Sequence, residues 1–565
     1  MIKRNEAFER AVRCDRRNLL VIAPPGCGKT ELLAHRAHRN VADLEAGRQI
    51  LALTFSNKAK ANLNGRLIEI LGVERKRRFV VVHNFHGHSA EIIRCHGRTL
   101  GIPIDFDPPN DRTQDDVVDV YLEGLTEREA NDVRARINGE LGEAKRGPYS
   151  DAEVLERLRD GGDERSLLVE EHRQRSGQLF YDDLLRHAQR LLRVPQVARM
   201  YRTHFQAVMV DEFQDLSPQQ LDLVLRSADC NRTIVGDPLQ GIYSWAGARP
   251  VENERLLRRI SGEPLTLGTS YRSSPNVLGL LGAVASEVGG RTLVPVDPEH
   301  WFEGGVAAGF MFGTGSDEAE FVRSASAEIQ RLAPETTIGV ICRSGWRRKP
   351  VDAAFASSDT PVTRWDLAID DPAVVKRIHD AVARIGANAS MEQLRTHLLE
   401  SVNIADSETI ADITEVLTQV DELVAESGSL GAALARLRAI EDATDAISPG
   451  IHLLNAHLGK GQQFDWVFVP GFDEGNMPSF LAQRPADLAE ELRILLVVIS
   501  RARHGVIVTG ARSLISKARR PYDVKPSRWT TLLRGAMSHT SSDDVLEHVR
   551  RMYKRTDIHA DTDAP

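Results

Sequence analysis

The sequence has few features of a membrane, secreted or zinc-binding protein. Its 565 residues include five cysteines, none in a CxxC pair, which argues against a zinc ribbon or a cysteine-ligated iron–sulfur cluster. Scattered cysteines indicate a reducing compartment, and we expect a cytoplasmic protein. No apolar run reaches the roughly 18 residues of a membrane span, and the first residues lack the apolar core of a secretory signal. We therefore expect neither an association with a membrane nor a signal peptide.

A strong charge of one sign is also missing. The formal net charge is −8, which does not indicate a general polyanion binder. A local basic groove remains compatible with it, because steering depends on how charge is distributed. The 42% hydrophobic content is ordinary for a globular protein, and the length predicts roughly three to five domains or subdomains.

The stretch APPGCGKT at residues 23–30 has the context of a phosphate-binding loop. It follows the strand-like run NLLVIA and precedes a run with apolar residues at helical spacing. Backbone N–H groups and the helix N-terminus would hold nucleotide phosphates, Lys29 would neutralise them, and Thr30 would bind Mg²⁺. The residues predicted to bind the nucleotide here are Ala23, Pro24, Pro25, Gly26, Cys27, Gly28, Lys29 and Thr30.

An acidic pair follows a second strand-like run. QAVMV ends at Asp211 and Glu212, and open α/β sheets bind ligands at the carboxyl ends of their strands. Asp211 could complete the Mg²⁺ shell with Thr30, and Glu212 could orient or deprotonate the attacking water. Taken alone, the pair could equally be a solvated acidic turn. Together with the phosphate loop it predicts ATP hydrolysis.

Five further stretches make the chain resemble the UvrD/Rep-like helicases of superfamily 1. DEFQD, at residues 211–215, resembles motif II of that family. The other five stretches resemble motifs Ia, III, IV, V and VI. In that order they are LALTFSNKAK (51–60), VGDPLQGIYSWAG (235–247), TSYRSSPN (269–276), NAHLGKGQQF (455–464) and VVISRAR (497–503). They occur in the family's order, so the resemblance covers nearly the whole chain.

The resemblance implies roles around the nucleotide. Gln240 would sense the γ-phosphate, and Tyr271 would stack on the adenine. Arg272 and Arg501 would be arginine fingers, because a guanidinium can clamp a transferring phosphoryl group. The catalytic set implied is Lys29, Glu212, Gln240, Arg272 and Arg501.

Two positions near the nucleotide depart from the family. Gln463 stands where the family has a glutamate that contacts the nucleotide sugar. Phe8 stands where the family has a glutamine that reads the adenine edge. The second departure predicts that nucleoside triphosphates other than ATP are also hydrolysed.

The same resemblance implies a path for single-stranded DNA. Aromatic faces suit sequence-independent stacking on unpaired bases, although two aromatics can also be an ordinary core pair. The histidine-rich run HNFHGHSAEIIRCH (83–96) could suggest zinc, but no second ligand pair of standard spacing follows. The implied DNA-binding residues are Phe55, Asn57, Lys58, His86, Tyr243, Trp245 and His457.

The predicted fold class is α/β, with two RecA-like P-loop NTPase domains that each carry a helical insertion. Strand-like runs on both sides of residues 91–195 should form one parallel sheet, and a second set should form another. The predicted boundaries are domain 1A at 1–90 plus 196–264, insertion 1B at 91–195, domain 2A at 265–350 plus 449–540, a reduced insertion 2B at 351–448, and a polar tail at 541–565.

The leading prediction is an ATP-dependent DNA helicase and translocase that moves 3′ to 5′. Its cofactors would be ATP and Mg²⁺, and its partners single-stranded and partly duplex DNA. An alternative is a regulatory DNA-sensing ATPase subunit that unwinds little alone and serves a separate nuclease, as in the Gabija anti-phage system. The departures at Phe8 and Gln463 and the reduced 2B motivate this alternative. A metabolic kinase would leave DEFQD and the paired aromatics unexplained.

Overall fold

The computed structural model describes most of the chain. The residues that it describes are 5–106, 117–228, 231–242, 248–365, 367–369, 378, 381–382, 384–386, 389–400, 417, 420–421, 424, 430, 437–439, 447–456, 461–516, 520–539 and 541–560.

The first sheet contains six parallel strands in the order β3-β2-β4-β5-β1-β6. Its strands are β1 (Asn18–Ile22), β2 (Gln49–Thr54), β3 (Val80–Asn84), β4 (Phe205–Val210), β5 (Arg232–Gly236) and β6 (Leu265–Thr266). The helices of this half are α1 (Glu6–Arg13), α2 (Lys29–Ala42), α3 (Asn57–Leu71), α4 (Val73–Phe79), α5 (Phe85–His96), α6 (Glu127–Ala144), α7 (Asp151–Gly161), α8 (Glu164–Ser176), α9 (Tyr181–Leu191), α10 (Pro195–His204), α11 (Pro218–Ser227) and α12 (Pro250–Ser261).

Both faces of this sheet are covered, which explains why its central strands contain continuous apolar runs. Leu19 and Val21 of β1 pack into one hydrophobic cluster, and Leu20 between them packs into another on the opposite face. Successive strand residues point to opposite faces, so a strand buried on both sides needs a continuous apolar run. The runs predicted to pair in one parallel sheet do so.

The second sheet has seven strands, with the path β11-β14-β10-β15-β16-β17 and β9 beside β16. Only the β16–β17 pair is antiparallel among the described pairings of this sheet. Two further small sheets pair β7 with β8 and β12 with β13. The strands are β7 (Thr269–Ser270), β8 (Val294–Pro295), β9 (Val306–Thr314), β10 (Thr337–Cys342), β11 (Thr363–Arg364), β12 (Leu367–Ile369), β13 (Leu437–Ala439), β14 (Gly450–Asn455), β15 (Phe464–Val469), β16 (Ala502–Ile515) and β17 (Pro521–Asp523).

The second half of the chain also contains helices, and several of them pack against the second sheet. The helices of this half are α13 (Pro275–Glu287), α14 (Gly315–Leu332), α15 (Gly345–Ala356), α16 (Met391–Glu400), α17 (Pro485–Ile499), α18 (Thr530–Arg534) and α19 (Ser542–Ala560). The predicted α/β class, with parallel sheets flanked by helices, is confirmed. Among the described residues, no helix is long and apolar enough to cross a membrane.

Helices α6 to α8 form a bundle with a core of its own, in which Ile137, Val154 and Val169 are buried. A buried ion network joins this bundle to α9. Lys145 Nζ lies 2.9 Å from carboxylates of both Glu170 and Asp183. Buried charges are tolerated only with well-placed partners, so the network fixes how the bundle packs against α9.

The segment expected to be a polar tail forms α19 instead. Val545 and Val549 are buried against the second sheet, and Arg551 makes two contacts with Glu303, at 2.8 and 3.0 Å. Two valines four residues apart lie on one face of a helix. These two valines are enough to hold α19 in place because the second sheet supplies the apolar surface against which they pack.

Candidate active site and nucleic-acid interface

The phosphate-loop candidate connects β1 to α2. The Ala23 N–H donates to the Gly236 carbonyl at 2.8 Å, which fastens the loop to β5. Gly28 is the N-cap of α2 with φ 82°, and no side chain caps that helix. The left-handed backbone at Gly28 suits glycine, and this N-cap has no side chain that could accept from the first N–H groups of α2. Those groups are the donors that a phosphate site requires.

Lys29 and Thr30 meet the acidic pair that follows β4. Lys29 Nζ lies 3.2 Å from Glu212 Oε1, and the Thr30 hydroxyl donates to Asp211 Oδ2 at 3.2 Å. Sequence positions about 180 apart are thus in contact, because β1 and β4 both pair with β5 and end at the same edge of the sheet. The structure brings together these four predicted site residues.

The two carboxylates lie close together beside a single lysine. Burial and the neighbouring Glu212 raise the pKa of Asp211 to about 7, although Lys29 opposes the shift. A buried carboxylate beside a second one favours a compensating cation. A carboxylate and a hydroxyl are oxygen ligands of the kind that Mg²⁺ prefers. Asp211 and Thr30 therefore fit the metal that was predicted for them.

Glu212 is held in a strained position. Its φ is 55°, a left-handed conformation that is uncommon outside glycine and is found at functional sites. The Gln214 side chain donates to Glu212 Oε2 at 2.6 Å. On its other side Gln214 accepts from the Asp237 N–H at 2.9 Å. Gln214 therefore bridges the ends of β4 and β5.

The bridge continues to Gln240. Gln240 Nε2 donates to Asp237 Oδ2 at 3.0 Å, and the Leu239 N–H donates to Asp237 Oδ1 at 3.1 Å. Burial raises the pKa of Asp237, and Lys29 opposes that shift. Neither Gln214 nor Asp237 was among the predicted site residues. The sequence signals for Asp237 are its place directly after the strand-like run RTIVG and inside the stretch that resembles motif III.

Tyr271 joins the second half of the chain to the phosphate loop. Its N–H donates to the Gly26 carbonyl at 2.9 Å, and its hydroxyl accepts from the Asn5 N–H at 3.2 Å. A Cβ added to Gly26 would lie 2.7 Å from Ser270 Oγ, so only glycine allows this approach. Phe8 packs edge-on against His35 of α2, with ring centroids 6.2 Å apart. It also lies next to Gly28, the N-cap of that helix.

The two predicted arginine fingers have different surroundings. Arg272 lies against the phosphate loop, since its Cβ is 2.8 Å from the position a Gly26 Cβ would take. Its guanidinium donates to the Ser500 carbonyl at 3.2 Å, and burial lowers its pKa to about 10. Arg501 is buried, and its guanidinium bonds the Val497 carbonyl and the Ser500 hydroxyl at 2.9 and 2.8 Å. Arg501 thus faces the carboxyl end of α17, while Gln463 is exposed.

The described DNA-binding candidates lie after β2 and β3. Phe55 and Lys58 are half-buried, and Asn57 accepts from the Asn84 side chain at 2.6 Å. The His86 ring packs edge-on against Tyr181 at 5.3 Å, and burial lowers its pKa to about 4. β2 and β3 are neighbours, so these side chains share one edge of the first sheet. The remaining candidates, Tyr243, Trp245 and His457, lie outside the described residues.

Comparisons with known proteins match two parts of the chain. Residues 4–258 match the family model described as UvrD/REP helicase N-terminal domain, and residues 374–513 match the UvrD-like helicase C-terminal domain. The matched segments include every motif-like stretch described above except the one at 269–276.

Relatives are found among bacterial DNA helicases. DNA helicase II of Escherichia coli is 25% identical, over 93% of this chain and 86% of the relative. ATP-dependent DNA helicase PcrA of Staphylococcus epidermidis is 24% identical, over 90% and 83%. DNA helicase II of Salmonella typhimurium is 30% identical, over 51% and 41%.

Proposed function

This chain belongs to the UvrD/Rep-like DNA helicases of superfamily 1, which are ATP-dependent enzymes, and we propose from this that it translocates 3′ to 5′ along single-stranded DNA and separates strands as it moves. One observation best supports the coupling of ATP hydrolysis to movement along DNA. It is the continuous set of contacts from Lys29 through Glu212, Gln214 and Asp237 to Gln240. It leads from the phosphate loop to the residue three positions before Tyr243. We propose that a change at the γ-phosphate reaches Gln240 through this ion pair and these hydrogen bonds.

The proposed nucleotide chemistry assigns one task to each side chain. Lys29 and the N–H groups of α2 hold the phosphates, and Thr30 and Asp211 hold Mg²⁺, which would neutralise charge on the β- and γ-phosphates. Glu212 takes a proton from the attacking water when the nucleotide draws Lys29 away from it. Gln240 registers the presence of the γ-phosphate.

The second half of the chain supplies positive charge to the transition state. Arg272 already lies against the phosphate loop, and Arg501 lies nearby, since both bond Ser500. An arginine that reaches a transferring phosphoryl group can accelerate the reaction by about 10³–10⁵-fold. We propose that Arg501 leaves the end of α17 for the phosphate when the two sheets close on ATP, while Tyr271 stacks on the base and Gln463 contacts the sugar.

The DNA path is proposed to run along the edge that carries Phe55, Asn57, Lys58 and His86. The neutral His86 ring and the half-buried Phe55 suit stacking and hydrogen bonding rather than charge attraction. Tyr243, Trp245 and His457 complete the proposed path. Stacking of bases on aromatic side chains is worth about 1–3 kcal/mol per base and is tolerant of sequence.

A direct experiment measures ATP turnover with and without single-stranded DNA. Strong stimulation by DNA is expected, and Glu212→Gln should abolish it while leaving ATP binding intact. Translocation polarity is then read from streptavidin displacement at the 3′ or the 5′ end of a biotinylated oligonucleotide. Faster displacement at the 5′ end supports 3′ to 5′ movement. Turnover that ignores DNA, or displacement only at the 3′ end, contradicts the proposal.

A second candidate function is a regulatory DNA-sensing ATPase that serves a separate nuclease. The observation that favours it is Gln463, an exposed neutral residue where the family has a nucleotide-contacting glutamate. Weak strand separation by the isolated chain, together with a co-purifying nuclease, would support this candidate, including a defence role of the Gabija kind. Robust strand separation by the isolated chain would exclude it.

A further inference from the structure

A cavity of about 410 Å³ lies on the edge of the first sheet opposite the candidate active site. Its walls come from the residues that precede β1, β2 and β5, from the start of β4 and from the carboxyl end of α2. The nucleotide site uses the other ends of the same strands. None of the roles proposed above falls on this cavity.

Arginines dominate its lining. Three carboxylates also line the cavity, but Asp15 and Glu45 have side chains 86% and 65% exposed, so they belong to its rim. Arg36, in contrast, is almost fully buried. Arg39, Arg48 and Arg202 are half-buried, whereas Arg16 and Arg17 are exposed at the rim, and Arg39 pairs with Asp15. Six arginines against three carboxylates leave the lining with an excess of positive charge.

Backbone carbonyls fix the innermost charge. One Arg36 nitrogen donates to the carbonyls of Ala11, Val12 and Cys14 at 2.7, 3.2 and 3.0 Å. Its Nε donates to Thr233 Oγ1 at 3.0 Å. These partners are neutral, so they orient the guanidinium without cancelling its charge. A ligand would meet a cation that is already in place.

Two other arginines can turn toward a ligand at little cost. Arg17 is exposed and makes no side-chain hydrogen bond or ion pair with any residue that the structure describes. Arg48 pairs with Glu45 at 2.8 Å, and an exposed pair of this kind contributes at most about 1 kcal/mol. An anion could replace Glu45 as the partner of Arg48 without leaving a buried charge behind.

We propose that this cavity binds a small anion with two or more phosphate groups, either a nucleoside polyphosphate or an inorganic polyphosphate. Planar guanidinium groups match the oxygens of phosphate in pairs, and several of them line this one open cavity. The volume falls within the range of about 300–1,000 Å³ that is typical of small-molecule sites.

Two helices link the cavity to the candidate active site. α2 runs from Lys29 to the cavity wall at Asn40. α1 runs from Phe8, near Gly28, to the carbonyls that Arg36 holds. A bound anion should therefore make both helices more rigid, and it provides a route by which a metabolite could adjust ATP turnover.

The test is calorimetric titration of sodium tripolyphosphate, without magnesium, into the full-length Lys29→Ala chain. This substitution disables the phosphate loop, so that heat reports a second site. Binding of one anion per chain is expected, and combining Arg17→Ala with Arg48→Ala should weaken the affinity about tenfold. The matched control is Arg13→Ala, which removes an exposed arginine of α1 outside the cavity and should change nothing.

Several outcomes would overturn the proposal. The first is no heat beyond dilution in the Lys29→Ala chain, and the second is unchanged affinity in the double variant. Loss of tripolyphosphate binding on addition of single-stranded DNA would make the cavity a DNA contact instead. If the double variant does not fold, Arg17→Ala alone gives the same comparison. ADP that binds more tightly than tripolyphosphate would identify a nucleotide as the ligand, and equal affinity would identify the polyphosphate.

Discussion

Replacing Gln214 with leucine should separate chemistry from nucleotide binding. Leucine has a similar volume but cannot bond Glu212 at 2.6 Å or accept from Asp237 at 2.9 Å. Glu212 would keep its strained backbone and lose the group that aims its carboxylate. A displacement of about 1 Å in a catalytic group can cost about 100-fold in rate, which corresponds to about 2.7 kcal/mol in activation free energy.

The assay is steady-state ATP hydrolysis at saturating single-stranded DNA. We expect kcat of Gln214→Leu to fall about 100-fold with little change in KM for ATP, because Lys29 and the loop are untouched. Stability should also fall, since the buried Asp237 N–H is left without an acceptor at a cost of about 1–3 kcal/mol.

Gln219→Leu is the matched control for this loss of stability. Gln219 is another buried glutamine, and it donates to the Lys145 carbonyl at 3.0 Å, away from the nucleotide. This variant should lower Tm comparably and leave kcat unchanged. A kcat for Gln214→Leu within about threefold of the wild-type value, or equal losses in both variants, would refute the idea that Gln214 aims Glu212.

Other substitutions and conditions test other parts of the structure. The wild-type chain, with Phe8 beside Gly28, should hydrolyse GTP within about tenfold of ATP; Phe8→Gln should restore a preference for ATP, and a strict preference in the wild type would contradict this. Thr30→Val removes the hydroxyl 3.2 Å from Asp211 and should lower turnover by about 100-fold or more across a magnesium titration; near-normal turnover would exclude Thr30 as a ligand. Val549→Ala should lower the free energy of unfolding by about 1–2 kcal/mol, seen as a lower Tm with normal turnover. Burial lowers the pKa of His88 and His187 to about 3 and that of His86 and His504 to about 4, so below the ordinary value near 6.5 the unfolded chain binds more protons at these four histidines. This outweighs the one proton that Asp211, with its raised pKa, takes up in the folded chain. Tm should therefore fall as the pH drops from about 7 to about 5, and a constant or rising Tm would contradict this assignment.

Much of the candidate site could be predicted because its residues lie in short stretches next to apolar runs. The residues of APPGCGKT and DEFQD each follow a strand, and parallel strands end at one edge of a sheet. The sequence does not give the order of the strands. The bridge through Gln214 and Asp237 depends on β4 and β5 being neighbours, and no spacing within the chain reveals that pairing.

Surfaces assembled from distant segments were missed for the same reason. The arginines of the cavity come from α2, from α10 and from the segments that precede β1 and β2, and each one looks like part of a solvated face when the sequence is read alone. The helix at the end of the chain was expected to be a polar tail, because Val545 and Val549 are too few for a recognisable period. Their burial depends on the second sheet, which lies far away in sequence.

The contact between Gly26 and Tyr271 is made by main-chain atoms only. Its persistence therefore does not depend on which side chain stands at position 271, whereas position 26 admits no side chain at all. A substitution at position 271 would therefore change the residue proposed to stack on the base and keep the hydrogen bond that attaches the second half of the chain to the phosphate loop. A single substitution could thus change which nucleotide the enzyme prefers without changing how its two halves are joined.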